Sequence, residues 1–306
     1  MSPENILRLA RTLLNQRISI PEQSLGTVRI EHEIRPAGST IAVTNFREAM
    51  FAGLPMLDLE LKKDLIIHHL ISEEYGDWMS DQPCELIQMH RDLACHARGR
   101  VLIGGLGLGI LPRMLQETDR TDSITVVERD PDVVKLIGPY LNGRVTVINA
   151  DIFEYVKTIK KRQYDCALLD TWQSTGEWPW QTEVVPLRRA LRPLCRKVYC
   201  WAEATMIGQV AKGLMVAADI KSEQLKSQGT CHYYAFRRAL IDESLRDESN
   251  GIDRSDLMAR ISSEMKNMKD DVLKMFMRSF VFDVGSPTWE RTFGKYWDEA
   301  LEKEKV

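Results

Sequence analysis

The sequence predicts an α/β fold: a doubly wound, mostly parallel sheet with a small N-terminal α+β extension and a helical C-terminal extension. Three observations predict it. The apolar run Val101-Leu102-Ile103 enters a turn with glycine at 105, 107 and 109 and leaves it into a helical pattern starting at Ile110 and Leu111. Three further strand-like runs, 123–128, 145–149 and 164–169, lead into the acids Glu128, Asp151 and Asp170. Such alternation of strands and helices packs as a parallel sheet with its polar strand ends on one edge. Beyond residue 255, Leu257, Ile261, Met265, Met268, Val272 and Met275 recur every three or four positions, as helices require.

At 306 residues the chain can hold one catalytic domain with sizeable additions. The pattern divides it into an N-terminal extension (1–80), a ligand-binding α/β domain (81–240) and a helical extension (241–306). Apolar residues at 44% and charged residues at 28% are ordinary for a globular protein. A net charge of −3 makes no field strong enough to argue for nucleic acid. Arg8, Arg11 and Arg17 interrupt any signal-peptide core, and no apolar run reaches membrane-spanning length. A cytoplasmic protein without a membrane partner is expected. The six cysteines form no Cys-x-x-Cys pair, so structural thiols are expected rather than metal ligands.

Taken in order, Ser2-Pro3 supplies an N-cap and a first helical residue, and Ile6, Leu9, Leu13 and Leu14 then share a helix face. The strand-like runs around Val28-Ile30 and Ile41-Val43 flank the turn Arg35-Pro-Ala-Gly38, which predicts an antiparallel hairpin between them. Residues 57–70 read as a helix, 77–81 as an extended piece, and 85–97 as a helix that delivers the chain to the first sheet strand. After Asp170, the loop 171–180 carries Trp172, Trp178 and Trp180. Their flat rings suit stacking or holding a cation, or else they anchor the loop by packing. Residues 186–191 should be helical and 197–202 a fifth strand. The basic residues Arg188, Arg189, Arg192, Arg196 and Lys197 lack interleaved aromatics and read as a solvated helix face. A helix over 205–218 and a late strand at 231–235 follow. The methionine stripe after 255 is a core-facing or dimer-facing seam, which leaves a homodimer open.

The glycine turn bears on function because bare backbone can adopt positive φ and approach a ligand closely. Glu128 stands 23 residues after Gly105, where a carboxylate can accept both hydroxyls of a ribose. A nicotinamide fingerprint would need its third glycine at 110, where Ile stands. The spacing Gly105-x-Gly107-x-Gly109, with Glu128, Asp151 and Asp170 at successive strand ends, resembles S-adenosylmethionine-dependent methyltransferases of the Rossmann-like class. More narrowly, Val-Leu-Ile-Gly-Gly-x-Gly-x-Gly-Ile-Leu, Val-Val-Glu-Arg-Asp-Pro-Asp-Val-Val and Asn-Ala-Asp-Ile-Phe-Glu-Tyr look like the spermidine synthase branch of that superfamily. The resemblance covers about residues 75 to 202.

It implies a class I methyltransferase type of sheet and S-adenosylmethionine as cofactor. On it, Gly105, Gly107 and Gly109 approach the methionine part, and Glu128, with Arg129 beside it, takes the ribose. Asp151 faces the adenine amino group, Ile152 lies against the ring, and Asp170 meets the transferred group. The segment before the first strand lines the cleft in the related enzymes, which makes Asp81, Glu85 and His90 candidates for its wall and Trp172 a candidate for the substrate side. Asp81, Glu85 and His90 could instead form a solvated helix face with a capping Asp, and Trp172 could instead pack as an anchor of its loop. Aminopropyltransferases follow the strand-four acid with Ser-x-Asp-Pro and place an acid in the glycine loop. Here Thr171-Trp-Gln-Ser-Thr and Gly107-Leu108 stand in those places. Methyl transfer to a small molecule or protein side chain is therefore favoured over polyamine synthesis. DNA amino-methyltransferases are disfavoured too, since no Pro-Pro-aromatic run follows Asp170. A non-catalytic nucleoside-binding or scaffold protein is the third alternative.

Overall fold

The computed structural model describes residues 2–44, 55–159, 162–172, 183–202 and 206. The chain divides into the units Met1–Met206 and Ile207–Val306, and the description concerns the first. The helix over 205–218, the strand at 231–235, the methionine stripe, the C-terminal helices, Trp178 and Trp180 lie outside the described residues.

Helix α1 (Pro3–Asn15) starts as its sequence dictates: Ser2 Oγ accepts the Asn5 N–H at 3.4 Å, Pro3 opens the first turn, and Ile6, Ala10 and Leu13 are buried. Strands β1 (Gln23–Leu25), β2 (Val28–Arg35), β3 (Thr40–Ala42), β4 (Asp58–Glu60), β5 (Leu65–Ser72) and β6 (Gly76–Ser80) follow. They form an antiparallel sheet in the order β1-β2-β5-β6 and a separate β3-β4 pair.

Two expectations are corrected here. The run Ile41-Val43 does not pair with β2. The two-residue turn Gly26-Thr27 folds β1 back on β2, while β3 pairs with β4. The sequence hid β1 because Gln23-Ser24-Leu25 lacks the β-branched residues that mark strands. Residues 57–70 are not helical but contain β4 and β5. The four-residue spacing of Leu57, Leu61 and Leu65 imitates a helix. In the fold β5 is flanked by β2 and β6 and buries Leu65, Ile67, His68, Leu70, Ile71 and Ser72, so residues on both faces are covered and the period-2 alternation is lost.

Helix α2 (Pro83–Asp92) is followed by a 3₁₀ turn (Ala94–His96), the break falling at Leu93 with φ −124°. A second sheet then forms from β7 (Gly99–Gly104), β8 (Thr121–Glu128), β9 (Val145–Asn149), β10 (Tyr164–Leu169) and β11 (Cys195–Cys200). All are parallel, in the order β11-β10-β7-β8-β9. Helices α3 (Ile110–Gln116), α4 (Pro131–Ile137), α5 (Ile152–Thr158) and α6 (Val185–Leu191) occupy the connections. From β7 the chain winds outward to β9, then jumps back beside β7 to build β10 and β11. This is a Rossmann-like, doubly wound parallel sheet, and its switch point lies between β7 and β10, where such sheets open a crevice at their carboxyl ends.

Val101, Leu102, Ile103, Val126, Ala167 and Leu168 are fully buried in its centre. One member of the basic cluster departs from expectation. Arg188 is buried, its guanidinium meeting Cys200 Sγ at 3.7 Å, while Arg189, Arg192, Arg196 and Lys197 are exposed. Among the described residues five cysteines are free thiols, no group of three or more His, Cys, Asp or Glu is placed to hold a metal, and no helix is long and apolar enough to cross a membrane.

Candidate functional site

The glycine turn is shaped as much by the protein as by anything it could bind. Gly105 has φ +92°, and a Cβ there would overlap the carbonyl oxygen of Asp170 on the neighbouring strand. Gly107 has φ +51°, and a Cβ there would overlap Met79 Sδ, which itself accepts the Leu108 N–H at 3.3 Å. The turn is thus clamped between the end of β10 and the side chain of a β6 residue.

Glu128 ends β8 under this turn, 5% exposed. Its Oε2 accepts the Leu106 N–H and its Oε1 the Asp130 N–H, both at 2.8 Å. Each oxygen keeps a second lone pair. Asn149, at the end of β9, donates Nδ2 to the carbonyls of Glu128 and Arg129 at 2.9 and 3.0 Å, so the two strand ends hold one another. Arg129 donates to Tyr75 Oη at 2.8 Å and lies 5.5 Å from that ring's centre, which in turn meets Trp78 edge-on. Asp151 caps α5: its Oδ1 accepts the Phe153 and Glu154 N–H groups at 2.8 and 3.2 Å. Among the described residues its Oδ2 accepts no hydrogen bond.

These groups surround a cleft of about 460 Å³ at the carboxyl edge of the parallel sheet, within the range of small-molecule sites. Gly105, Gly107, Glu128, Arg129, Asp151, Ile152, Asp170 and Trp172 line it, as does Glu85. Three expected residues do not. Gly109, φ +72°, caps the start of α3 and faces Ile137 and Ile18. Asp81 is 3% exposed and bound on both oxygens: Oδ1 to Arg17 at 2.8 Å and to the His68 N–H, Oδ2 to His68 Nδ1 at 2.7 Å. A carboxylate so enclosed ties the chain after α1 to β5 and to the end of β6, outside the cleft lining. His90 lies one residue, or 100° of helix, past Met89, which does line the cleft, and burial lowers the pKa of its ring.

Lining residues that the sequence does not single out include Gln88 and Met89 on α2, Trp78 and Met79 on β6, Glu183, and Trp201 after β11. Helical spacing from Glu85 marks 88 and 89, not 90, as its neighbours on one face. That signal was available in the sequence. The extended piece read at 77–81 corresponds to β6, but which of its side chains face the cleft is set by its pairing with β5.

Asp170 is the chemically distinctive group. Its side chain accepts no hydrogen bond among the described residues, and burial pushes its carboxyl up to about 7, with Glu85, Asp92 and Glu128 adding like-charge repulsion. A carboxyl titrating there can exchange a proton at physiological pH. Asp77, Glu85, Glu128, Asp130, Asp151, Asp170 and Glu183 line the cleft against Arg129 and His69, so its walls are strongly acidic.

No protein-family model matches the chain, and no curated protein matches its sequence. Solved structures with a similar fold include spermidine synthase from Thermotoga maritima, at 14% identity and TM-score 0.33, over 58% of this chain and 70% of that one. A spermidine synthase in complex with the transition-state analogue AdoDATO matches at 16% identity and TM-score 0.29, over 54% of this chain and 63% of that one. A Methanococcus maripaludis chain assigned as an S-adenosyl-L-methionine-dependent methyltransferase matches at 15% identity and TM-score 0.29, over 70% and 74%.

Proposed function

We propose that the cleft binds S-adenosylmethionine and that the protein is a methyltransferase acting on a small molecule or a protein side chain. The observation that carries this reading is the convergence of Glu128, Asp151 and Asp170 on one crevice beside the glycine turn. The residues fit the cofactor. Val127, Ile152 and Phe153 offer apolar surface for a flat base, and Glu128 offers spare lone pairs for ribose hydroxyls within a rim that its own bonds to Leu106 and Asp130 hold rigid. Asp151 Oδ2 suits an exocyclic amino group. When bound, the sulfonium supplies an activated methyl group, so the protein's task is alignment of the acceptor.

Asp170 performs the proton chemistry in this reading. Ionised above about pH 7, it takes a proton from an acceptor that arrives protonated, and its carboxylate accepts no hydrogen bond among the described residues. Asp77, Glu85 and Glu183 line the same cleft as Trp78 and Trp172, and carboxylates together with indole rings favour a cationic acceptor such as an amine. The same acidic wall favours a second reading, aminopropyl transfer to an amine.

Titration calorimetry tests both. S-adenosylmethionine should bind the parent protein, and Glu128→Ala should weaken that binding at least about a hundredfold, the loss of two charge-assisted bonds. Product from putrescine and the decarboxylated cofactor would establish the second reading, and absence of nucleoside binding would sink both.

A further inference from the structure

We propose that Asp92 is a positioning residue of the cleft: by accepting the Ala202 N–H it holds the chain leaving β11 in a left-handed turn and so fixes Trp201 on the cleft wall. The bond is 2.9 Å, to Asp92 Oδ2. Ala202 has φ +53° and is fully buried, the one non-glycine residue at positive φ among the described residues. An L-residue there is strained, because its Cβ crowds the following carbonyl, and such a conformation persists only when surrounding groups enforce it.

The enforcing contacts are visible on both sides. Upstream, the Trp201 N–H donates to the Leu169 carbonyl at 2.8 Å, continuing the β10–β11 ladder one residue further. Downstream, the Met206 N–H donates to the Ala202 carbonyl at 2.9 Å. Between them the Ala202 N–H is left without a strand partner, and a side chain from another element takes it. That side chain is 10% exposed, and Arg91 Nε, donating to Oδ1 at 2.7 Å, holds it in place.

The position of Asp92 on α2 explains how it gets there. Glu85, Gln88 and Met89 line the cleft, and residue 92 is the next on that helical stripe. Its carboxylate is not part of the cleft lining but reaches past it to the chain that follows β11. Trp201 lines the same cleft, with its indole Nε1 buried and unpartnered among the described residues. The ring packs against the core but has no polar anchor among the described residues, so its orientation is set by that packing together with its backbone. Burial pushes the Asp92 carboxyl up, the cost of placing an acid here, and that cost is consistent with a required contact.

The idea concerns the same cleft as the proposed function and rests on that reading only for its binding arm. In full-length protein carrying 5-fluorotryptophan, the ¹⁹F resonance of residue 201 is assigned by its loss in Trp201→Phe. Asp92→Ala should shift and broaden that resonance without any ligand present, and should weaken S-adenosylmethionine binding about tenfold, as small misplacements at a site do. Asp92→Asn keeps an acceptor for the Ala202 N–H and should leave the resonance in place. The decisive variant is Ala202→Gly in the Asp92→Ala background. Glycine adopts positive φ without strain, so the resonance should return toward its parent position.

A parent-like resonance in Asp92→Ala would overturn the proposal. So would Asp92→Asn behaving as Asp92→Ala does, since charge on Arg91 would then matter rather than the bond to Ala202. If Asp92→Ala does not fold, the double variant should, and its failure to do so would assign Asp92 a general structural role instead. Loss of nucleoside binding in the parent removes the proposed function but leaves the resonance arms intact.

Discussion

Replacing Asp170 by Asn should make the protein more stable at pH 8 while abolishing proton-dependent transfer. An unfolded aspartate ionises near 3.8, whereas in the fold burial, then repulsion from Glu85, Asp92 and Glu128, holds Asp170 protonated up to about 7. The folded state therefore binds this proton more tightly than the unfolded chain does. The carboxyl's contribution to stability is consequently full below about pH 4, declines as the pH rises through the interval to 7, and levels off above it. Each unit of that interval is worth about 1.4 kcal/mol, an upper bound of about 4 kcal/mol at pH 8. One side of the carboxylate opens to the cleft, so screening should reduce this to about 2 kcal/mol. Asparagine never ionises and escapes the penalty, at a fixed cost that does not vary with pH. Urea unfolding of parent and variant at pH 4.5, 6 and 8 should show the variant's relative stability rising by about 2 kcal/mol across the series. Parallel pH profiles would refute the claim that Asp170 is held protonated by its surroundings.

Three other consequences can be checked alongside it. Glu85→Gln removes the largest like charge acting on Asp170 and should move the acid limb of the pH–rate profile down by about half a unit to one unit, with an unchanged limb counting against Asp170 as the base. Gly105→Ala sets a methyl group against the Asp170 carbonyl at φ +92° and should cost about 3 kcal/mol in thermal unfolding, whereas Gly107→Ala, opposed only by the flexible Met79 side chain, should cost about 1–2 kcal/mol and be partly relieved by Met79→Ala. Asp81→Ala leaves Arg17 and His68 without their partner and should destabilise by about 3–5 kcal/mol, yet not change S-adenosylmethionine affinity at temperatures where the variant is folded. A change in affinity would return Asp81 to the cleft.

Much of the parallel sheet was written locally. Val101-Leu102-Ile103 running into alternating glycines, and acids after three later strands, specify strand, turn and helix within a few residues each, because a buried parallel strand is apolar throughout and a tight turn needs bare backbone. These residues point to a crevice at the carboxyl edge with Glu128, Asp151 and Asp170 around it, whereas Trp172 is a candidate for its substrate side only through the loop that follows Asp170 and the family resemblance. Helix α2 is legible too, and its periodicity from Glu85 points to Gln88 and Met89 rather than to His90.

Tertiary structure decided the rest, wherever an element's environment is supplied by distant chain. Residues 57–70 look helical by spacing, and only flanking by β2 and β6 makes Leu65–Ser72 a central strand. Asp81 looks like a cleft acid until Arg17, 64 residues away, and His68 claim both its oxygens. The glycines at 105 and 107 were legible as a turn, but what they make room for, the Asp170 carbonyl and Met79, is set by strands that arrive from either side. The proton affinity of Asp170 is likewise invisible in its neighbours along the chain. It arises from burial and from carboxylates on α2 and β8, and electric fields act through space rather than along sequence.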